Sequence, residues 1–159
     1  MRCAMLALLL CCACSALAVQ QLPLTPLTAA GVPALLKPPA HGERIIALWA
    51  LDCVYCEPNL AALARLQRAH PRDVELVTVA TDDITWQRAA IEQRLRAMRM
   101  TAWPARAYTE PAPDHLNYLI DPDWGGETPH TLVIRADGTR IALNGELTPN
   151  ALRRIAREN

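Results

Sequence analysis

The stretch ALWALDCVYCEPNLAAL, residues 47–63, contains Cys53 and Cys56, the two cysteines that lie outside the first 14 residues of the chain. Two residues separate them. This spacing is compatible with three kinds of site: a redox-active disulfide, half of a zinc site, or a two-cysteine copper site. An apolar run precedes the pair and a helical pattern follows it. The cysteines therefore fall where a predicted strand ends and a predicted helix begins.

The bulk composition indicates one globular domain without a dominant charge. The chain has 159 residues, and its 16 Lys and Arg residues balance 16 Asp and Glu residues. This length is sufficient for a single buried core. Because the charges balance, nothing indicates a nucleic-acid partner or an anionic surface as the target. We expect a monomer that binds no nucleic acid.

The first 18 residues, MRCAMLALLLCCACSALA, have the three parts of an export signal. Arg2 supplies the positive charge, residues 4–13 form an apolar run too short for a stable anchor, and residues 16–18 form an Ala-Leu-Ala cleavage site. We therefore expect a signal peptide over residues 1–18, cleavage after Ala18 and a periplasmic protein. An alternative is lipoprotein processing and anchoring at Cys14, although the residues before it fit a lipobox poorly.

Export affects which kind of site the remaining cysteine pair can form. Cleavage removes four cysteines: Cys3, Cys11, Cys12 and Cys14. Disulfides form in oxidising compartments, but a bridge that closes so short a loop adds little stability by loop entropy, so a chemical role is favoured. Zinc would need two further ligands, and the histidines are scattered singly along the sequence. A copper site that adds His130 to the two cysteines stays open as a weaker alternative.

The order of predicted elements indicates an α/β fold. Residues 19–43 are rich in proline and alanine and form a lead-in with a short helix near residues 28–36. The domain proper is expected over residues 44–159. Apolar runs at residues 44–50 and 74–80 predict buried strands, and the segments 56–70 and 84–98 have helical spacing.

The second half of the chain begins with a long irregular segment. Residues 101–129 hold five prolines and four aromatic residues, which predicts a long loop with a short strand at Asn117–Ile120. Residues 131–147 predict a hairpin around Asp137-Gly138, and Thr148 is the expected N-cap of a final helix over residues 148–159. Strands joined by a helix should be parallel, so we expect a mixed sheet of four or five strands with helices on both faces.

Three features of this pattern resemble the thioredoxin-like superfamily and, within it, the exported TlpA-like thiol-disulfide oxidoreductases. The first is WALDCVYC at residues 49–56, the second is Thr128-Pro129 before an apolar strand, and the third is Asp137-Gly138 together with Gly145 before the last helix. The resemblance covers the chain from about residue 45 onward. It implies a thioredoxin fold, a cis peptide bond before Pro129, and a redox-active Cys53–Cys56 disulfide instead of a bound cofactor.

The sequence departs from the family pattern close to the cysteines. Asp52 stands where a tryptophan is usual, and Ala47 stands where thioredoxins bury an acid that shuttles protons. The dipeptide Val54-Tyr55 lacks the common proline. A tyrosine before the second cysteine and a threonine before the cis-proline also occur in disulfide isomerases, but this chain is too short for their separate dimerisation domain.

The resemblance also implies roles for individual residues. Cys53, just ahead of a helix N-terminus that favours an anion, is the expected nucleophile, and Cys56 is the resolving cysteine. We expect Asp52 and Glu57 to tune the pKa of the nucleophile. Candidate residues of the substrate groove are Trp49, which should also pack beside the disulfide, and Tyr55, Trp124, Thr128 and Pro129. His130 is expected to be a polar residue on the groove side.

These roles predict reduction of protein disulfides. Negative charge from Asp52 and Glu57 opposes a thiolate, and a couple whose thiolate is poorly stabilised is reducing. The expected partners are protein thiols and disulfides and a membrane-borne electron donor or acceptor. Disulfide oxidation or isomerisation, and copper delivery on the same fold, are the alternatives.

Overall fold

The computed structural model describes residues 23–110 and 112–156. The predicted signal peptide, with its cleavage site at Ala18 and the possible lipid attachment site at Cys14, lies outside the described residues. So do residues 157–159. No helix of the described part is both long and apolar enough to cross a membrane.

The described chain alternates strands and helices. The strands are β1 (Leu24–Leu27), β2 (Glu43–Trp49), β3 (Val74–Asp83), β4 (Ala105–Tyr108), β5 (His130–Arg135) and β6 (Arg140–Asn144). The helices are α1 (Val32–Leu35), which follows a single 3-10 turn at Ala29–Gly31, α2 (Cys56–Ala69), α3 (Ile84–Ala97), α4 (Pro113–Ile120) and α5 (Pro149–Ile155).

All six of these strands form one sheet in the order β1-β4-β3-β2-β5-β6. The four strands β1, β4, β3 and β2 are parallel to one another. β5 pairs antiparallel with β2, and β6 pairs antiparallel with β5 at the edge of the sheet. β2 lies in the middle of the sheet, and all of its residues except Arg44 are buried. The mixed α/β sheet that the sequence predicted is therefore confirmed, with six strands instead of four or five.

Each face of the sheet has its own apolar core. The core on the disulfide face includes α2, α3 and α5 and contains Trp49, Cys53 and Cys56. The core on the other face includes α1 and α4 and contains Leu48 and Trp124. Because side chains of a strand alternate between faces, Leu48 and Trp49 belong to different cores.

The prediction of a strand at Asn117–Ile120 is wrong, because these residues end helix α4. Pro113 is in the first helical turn, a position that proline favours. Leu116 and Ile120 are one helical turn apart and both are buried, whereas Tyr118 between them is exposed. The hydroxyl of Tyr108 donates to Oδ1 of Asn117 at 2.9 Å and so links α4 to β4.

β1 lies within residues 19–43, the segment predicted as a lead-in, and it belongs to the same sheet as the other strands. β1 pairs with β4 alone and contains Pro26, which an edge strand tolerates since one side of its backbone faces no partner. β4 itself was missed within residues 101–129. The expected short helix before β2 is present as α1.

Candidate active site

Cys53 and Cys56 form a disulfide at the junction of β2 and α2. Their sulfur atoms are 2.06 Å apart and their Cα atoms 5.5 Å apart. The backbone N–H of Cys53 donates to the carbonyl of Ala50 at 3.2 Å, which closes the turn after β2, and Cys56 is the first residue of α2. Cys56 is 1% exposed and Cys53 9%, so Cys53 is the more exposed residue of the pair.

Trp49 belongs to the apolar core on the face of the sheet that carries this disulfide. It is the last residue of β2, is 1% exposed, and belongs to the same apolar cluster as both cysteines. The expectation that it packs beside the disulfide agrees with this position. Its assignment to the surface of a substrate groove is wrong, because a side chain this deeply buried contacts core residues instead of a partner.

The peptide bond between Thr128 and Pro129 is cis, as the resemblance implied. The carbonyl of Pro129 accepts a hydrogen bond from the backbone N–H of Gly145 at 2.9 Å. The next link is Asn59 on α2, whose Nδ2 donates to the carbonyl of Gly145 at 2.8 Å and whose Oδ1 accepts from Leu147 N–H at 2.9 Å. The cis-proline loop is thus joined through residues 145–147 to the first turns of the helix that begins at Cys56.

Trp124 and His130 form a buried stack just behind the cis-proline. Their rings are 4.6 Å apart between centroids and inclined by 10°. The indole N–H of Trp124 donates to the carbonyl of Glu127 at 2.8 Å, so the stack holds both sides of Thr128-Pro129. Trp124 is 5% and His130 1% exposed. The predicted groove position of Trp124 and the groove-side position of His130 are therefore wrong: both support the loop from below.

His130 also does not complete a copper site with the cysteines. It pairs with Leu48 across the sheet, so its side chain lies on the face away from Cys53 and Cys56. Nδ1 contacts Oδ1 of Asn144, and Nε2 is 3.2 Å from Oδ2 of Asp121 without the alignment of a hydrogen bond. Within the described ranges, no three His, Cys, Asp or Glu side chains are grouped as metal ligands.

The residues around the disulfide are acidic and partly apolar. Asp52 and Glu57, the two candidate tuning residues, are both exposed. Tyr55 between the cysteines is 60% exposed, which leaves this candidate groove residue free for contact. Thr128 is half-buried and Pro129 is buried.

Two residues that sequence reasoning missed hold this site in place. Asp82, near the end of β3, accepts a hydrogen bond from Leu51 N–H at 2.9 Å through Oδ2. Burial raises its pKa and the nearby Asp52 charge raises it further, whereas the hydrogen bond from Leu51 lowers it. Asn59 is the other. The sequence contains a signal for each of them. Asp82 is an acid near the end of a predicted buried strand, and Asn59 is a polar residue on the same helical face as Leu63.

A cavity of about 900 Å³ lies at the opposite end of the sheet, among Gly42, Arg65, His70, Arg135 and Arg153. It is remote from the cysteines, since Gly42 precedes β2 and the disulfide follows it. This cavity is therefore separate from the candidate active site at the disulfide.

A central strand that leads into a C-x-x-C disulfide at a helix start, with a cis-proline before the neighbouring antiparallel strand, defines the thioredoxin fold. Solved structures of that fold are similar to this chain over most of its length. A secreted Mycobacterium tuberculosis disulfide oxidoreductase homologous to E. coli DsbE is 20% identical, with a TM-score of 0.55, and the match covers 72% of this chain and 81% of that one.

Two further relatives are similar to the same extent. A thioredoxin-related protein from Neisseria meningitidis serogroup B is 23% identical, with a TM-score of 0.56 over 74% of this chain and 84% of its own. StoA from Bacillus subtilis is 20% identical, with a TM-score of 0.56 over 76% and 86% of the two chains. No protein-family model matches the sequence. No curated protein matches it either.

Proposed function

We propose that the protein is an exported thiol-disulfide oxidoreductase that reduces disulfides in other proteins, with Cys53 as nucleophile and Cys56 as resolving cysteine. The observation that carries this proposal is the Cys53–Cys56 disulfide at the start of α2, in which the first cysteine is the more exposed residue. A helix N-terminus favours an anionic sulfur, because its free backbone N–H groups carry partial positive charge.

The reaction proceeds by two thiol-disulfide exchanges. The Cys53 thiolate attacks one sulfur of the substrate disulfide, the substrate S–S bond breaks, and the other substrate sulfur leaves as a thiolate that takes up a proton. The Cys56 thiolate then attacks the Cys53 sulfur and releases the second substrate thiol. Two electrons and two protons pass from the Cys53–Cys56 dithiol to the substrate, and the protein disulfide forms. A membrane-borne thiol donor would return the protein to its dithiol form.

The substrate segment is proposed to lie across Thr128, Pro129 and Tyr55. Thr128 and Pro129 are tied to α2 through Gly145 and Asn59, and Tyr55 is exposed between the cysteines. An extended polypeptide could pair with the backbone of Thr128, as a strand pairs at the edge of a sheet. This geometry would bring a substrate sulfur towards Cys53, the more exposed of the pair.

The reducing direction is favoured by the charges around the site. Asp52 and Glu57 flank the C-x-x-C stretch, and residues 49–60 contain no Lys, Arg or His. Negative charge opposes a thiolate and therefore weakens the reduced form, which makes the dithiol a better electron donor. Export is supported by the Ala18 cleavage site and by the similarity to the secreted M. tuberculosis disulfide oxidoreductase.

A mixed-disulfide trap tests the proposal. In Cys56→Ser the resolving sulfur is absent, so a disulfide between Cys53 and the substrate should accumulate and disappear on treatment with dithiothreitol. Cys53→Ser is the matched control and should trap nothing. Reaction of the reduced protein with a folded disulfide protein should yield free thiols in the partner. A protein that neither reduces nor traps any disulfide would refute the proposal.

The direction of electron flow needs its own measurement. Equilibration with defined glutathione or dithiothreitol mixtures, with the redox state followed by tryptophan fluorescence, gives the reduction potential. We expect a value close to the reducing couples, about −270 mV for thioredoxin, and far from the strong oxidants at about −120 mV. A potential at the oxidising end would assign the protein to disulfide formation. Amino-terminal sequencing of the mature protein tests cleavage after Ala18, and loss of lipid labelling in Cys14→Ala tests the lipid-anchored alternative.

A further inference from the structure

The surface around the disulfide carries exposed apolar side chains. Val54 is 75% exposed, Tyr55 60% and Trp86 84%, and the fourth large apolar side chain exposed in the described part of the chain is Tyr118. Large apolar groups exposed together mark interaction sites more often than chance placement does. Val54 and Tyr55 lie between the two cysteines, so any partner of Cys53 must approach them.

Trp86 belongs to the same end of the molecule. It lies in the first turn of α3, which begins directly after β3. Near the end of β3, Asp82 binds the backbone of Leu51, two residues before Cys53. Trp86 is therefore in the first turn of the helix that directly follows the strand end bonded to the active-site turn. The docking surface is defined here as Val54, Tyr55 and Trp86.

Acidic residues are frequent in the segments that carry this docking surface and in the segments hydrogen-bonded to them. Four segments meet there, namely residues 49–60, 81–87, 127–129 and 144–148, and hydrogen bonds from Leu51 to Asp82, from Asn59 to Gly145 and from Gly145 to Pro129 join them. They contain six carboxylates and no Lys, Arg or His: Asp52, Glu57, Asp82, Asp83, Glu127 and Glu146. Arg88 directly follows the second segment, but its side chain donates to the carbonyl of Leu24 and pairs with Glu92. The whole chain has 16 residues of each sign, so this end has a local negative excess although the protein is neutral.

We propose that this docking surface selects polypeptides whose reacting cysteine is flanked by basic and apolar residues. The proposal rests on the proposed thiol-disulfide exchange and names the substrate class for it. Basic flanks would be drawn to the carboxylates during encounter, and an apolar side chain beside the cysteine would cover Trp86 or Tyr55. Charge complementarity of this kind acts mainly on the rate of association and weakens with salt.

Short peptides with one cysteine test this selection. Each peptide carries its cysteine as a mixed disulfide with neutral 2-mercaptoethanol, flanked by Lys and Leu, by Glu and Leu, or by Ser and Leu. The reduced protein converts each one to a peptide thiol and free 2-mercaptoethanol while its own disulfide forms. Every rate is divided by that of the same peptide with dithiothreitol, because flanking charges also change the intrinsic reactivity of the disulfide.

At about 20 mM salt the normalised rate for the basic peptide should exceed that for the acidic peptide by about tenfold or more, and at about 0.5 M salt the ratio should fall to about threefold or less. Asp83→Asn should reduce the ratio, since asparagine keeps the N-cap of α3 but removes the charge. Asp73→Asn removes an exposed acid at the other end of β3 and should leave the ratio unchanged. Equal rates for the three peptides would overturn the proposal.

The apolar part of the surface has its own matched pair. Trp86→Ala should slow the reaction with the basic peptide by about fivefold, because aromatic anchors dominate contact energies. Tyr118→Ala removes an exposed aromatic from α4 on the opposite face and should have no effect. Bis(2-hydroxyethyl) disulfide, which is small and uncharged, separates the two proposals. If the wild-type protein fails to reduce it, the thiol-disulfide function is refuted. If the protein reduces it but does not discriminate among the peptides, only the docking surface is refuted.

Discussion

The backbone N–H of Leu51 donates to Oδ2 of Asp82 at 2.9 Å, so a carboxylate from β3 holds the turn that presents Cys53. Burial raises the pKa of Asp82, and the charge of Asp52 adds to this effect. Thioredoxins bury an acid at the position that Ala47 occupies here, and Ala47 is buried in the core. The acid that is half-buried beside the active-site turn of this chain comes from a different strand.

The raised pKa of Asp82 predicts a pH dependence of stability. The unfolded chain ionises Asp82 at its ordinary pKa and the folded chain only at a higher pH, so folding becomes less favourable as pH rises through this interval. Asp82→Asn removes that loss and keeps an acceptor for Leu51. Denaturant unfolding between about pH 3 and pH 7 should show the free energy of unfolding of the variant increasing relative to wild type. Parallel curves would contradict the assignment.

The charges beside the cysteines predict a shift in reduction potential. Asp52→Asn with Glu57→Gln removes two exposed negative charges, stabilises the Cys53 thiolate and makes the couple more oxidising. We expect a rise of about 10–30 mV, small because exposed charges are screened by solvent. The equivalent change at Asp73 and Asp114, both exposed and away from the disulfide, is the control and should leave the potential where it is. A fall in potential would refute the tuning role.

The hydrogen bonds of the Asn59 side chain should contribute measurably to the stability of the fold at this site. It is 4% exposed and binds both the carbonyl of Gly145 and the N–H of Leu147. Asn59→Ala leaves the buried Leu147 N–H without its partner, and we expect a loss of about 2–3 kcal/mol in unfolding free energy. Asn150→Ala, the same change at an exposed position, should cost no more than about 0.5 kcal/mol. Equal losses for the two variants would show that the Asn59 bonds contribute nothing.

The sequence predicts the long regular elements well because their patterns are local. β2 and β3 are apolar runs, and α2 and α3 have helical spacing over fourteen residues each. β1 and β4 have four residues each, too few for a period to emerge, and they exist because each completes the hydrogen bonds of a neighbour in the sheet. The segment Asn117–Ile120 has strand-forming residue types, but burial of Leu116 and Ile120 selects the helix.

The sequence predicts the disulfide and the cis-proline of the site more accurately than the residues of the surface around them. The two cysteines and the cis-proline occupy the positions that their motifs predict, since those motifs depend on backbone geometry. Trp49 and Trp124 were assigned to the groove and are buried. Composition cannot separate an aromatic residue that contacts a partner from one that fills a core, because both are chosen for apolar area. Trp86, the most exposed large apolar residue described, belongs to no motif by which the sequence could have identified it.

The stack of Trp124 on His130 predicts that the loop around the cis-proline is supported by packing as well as by one hydrogen bond. Trp124→Phe keeps an aromatic ring on His130 but leaves the carbonyl of Glu127 without its indole donor, and we expect a loss of about 1 kcal/mol. Trp124→Ala also removes the buried ring and should cost about 3–5 kcal/mol. Denaturant unfolding compares the two. Equal losses would mean that the hydrogen bond, and not the stack, carries the effect.

Among the glycines, Gly42 at the turn before β2 is the one where an added methyl group would meet the closest neighbouring atom. Its φ is +63°, and a Cβ atom there would lie 2.0 Å from the backbone carbonyl oxygen of Asp73. Gly42→Ala combines left-handed backbone strain with this clash and should cost about 3 kcal/mol or more. Gly138→Ala is the matched control, since its φ is +84° but nothing lies within 4 Å of the new methyl group, and it should cost only about 1 kcal/mol. Unfolding free energies of the two variants separate strain from steric overlap, and equal values would show that Asp73 moves aside without cost.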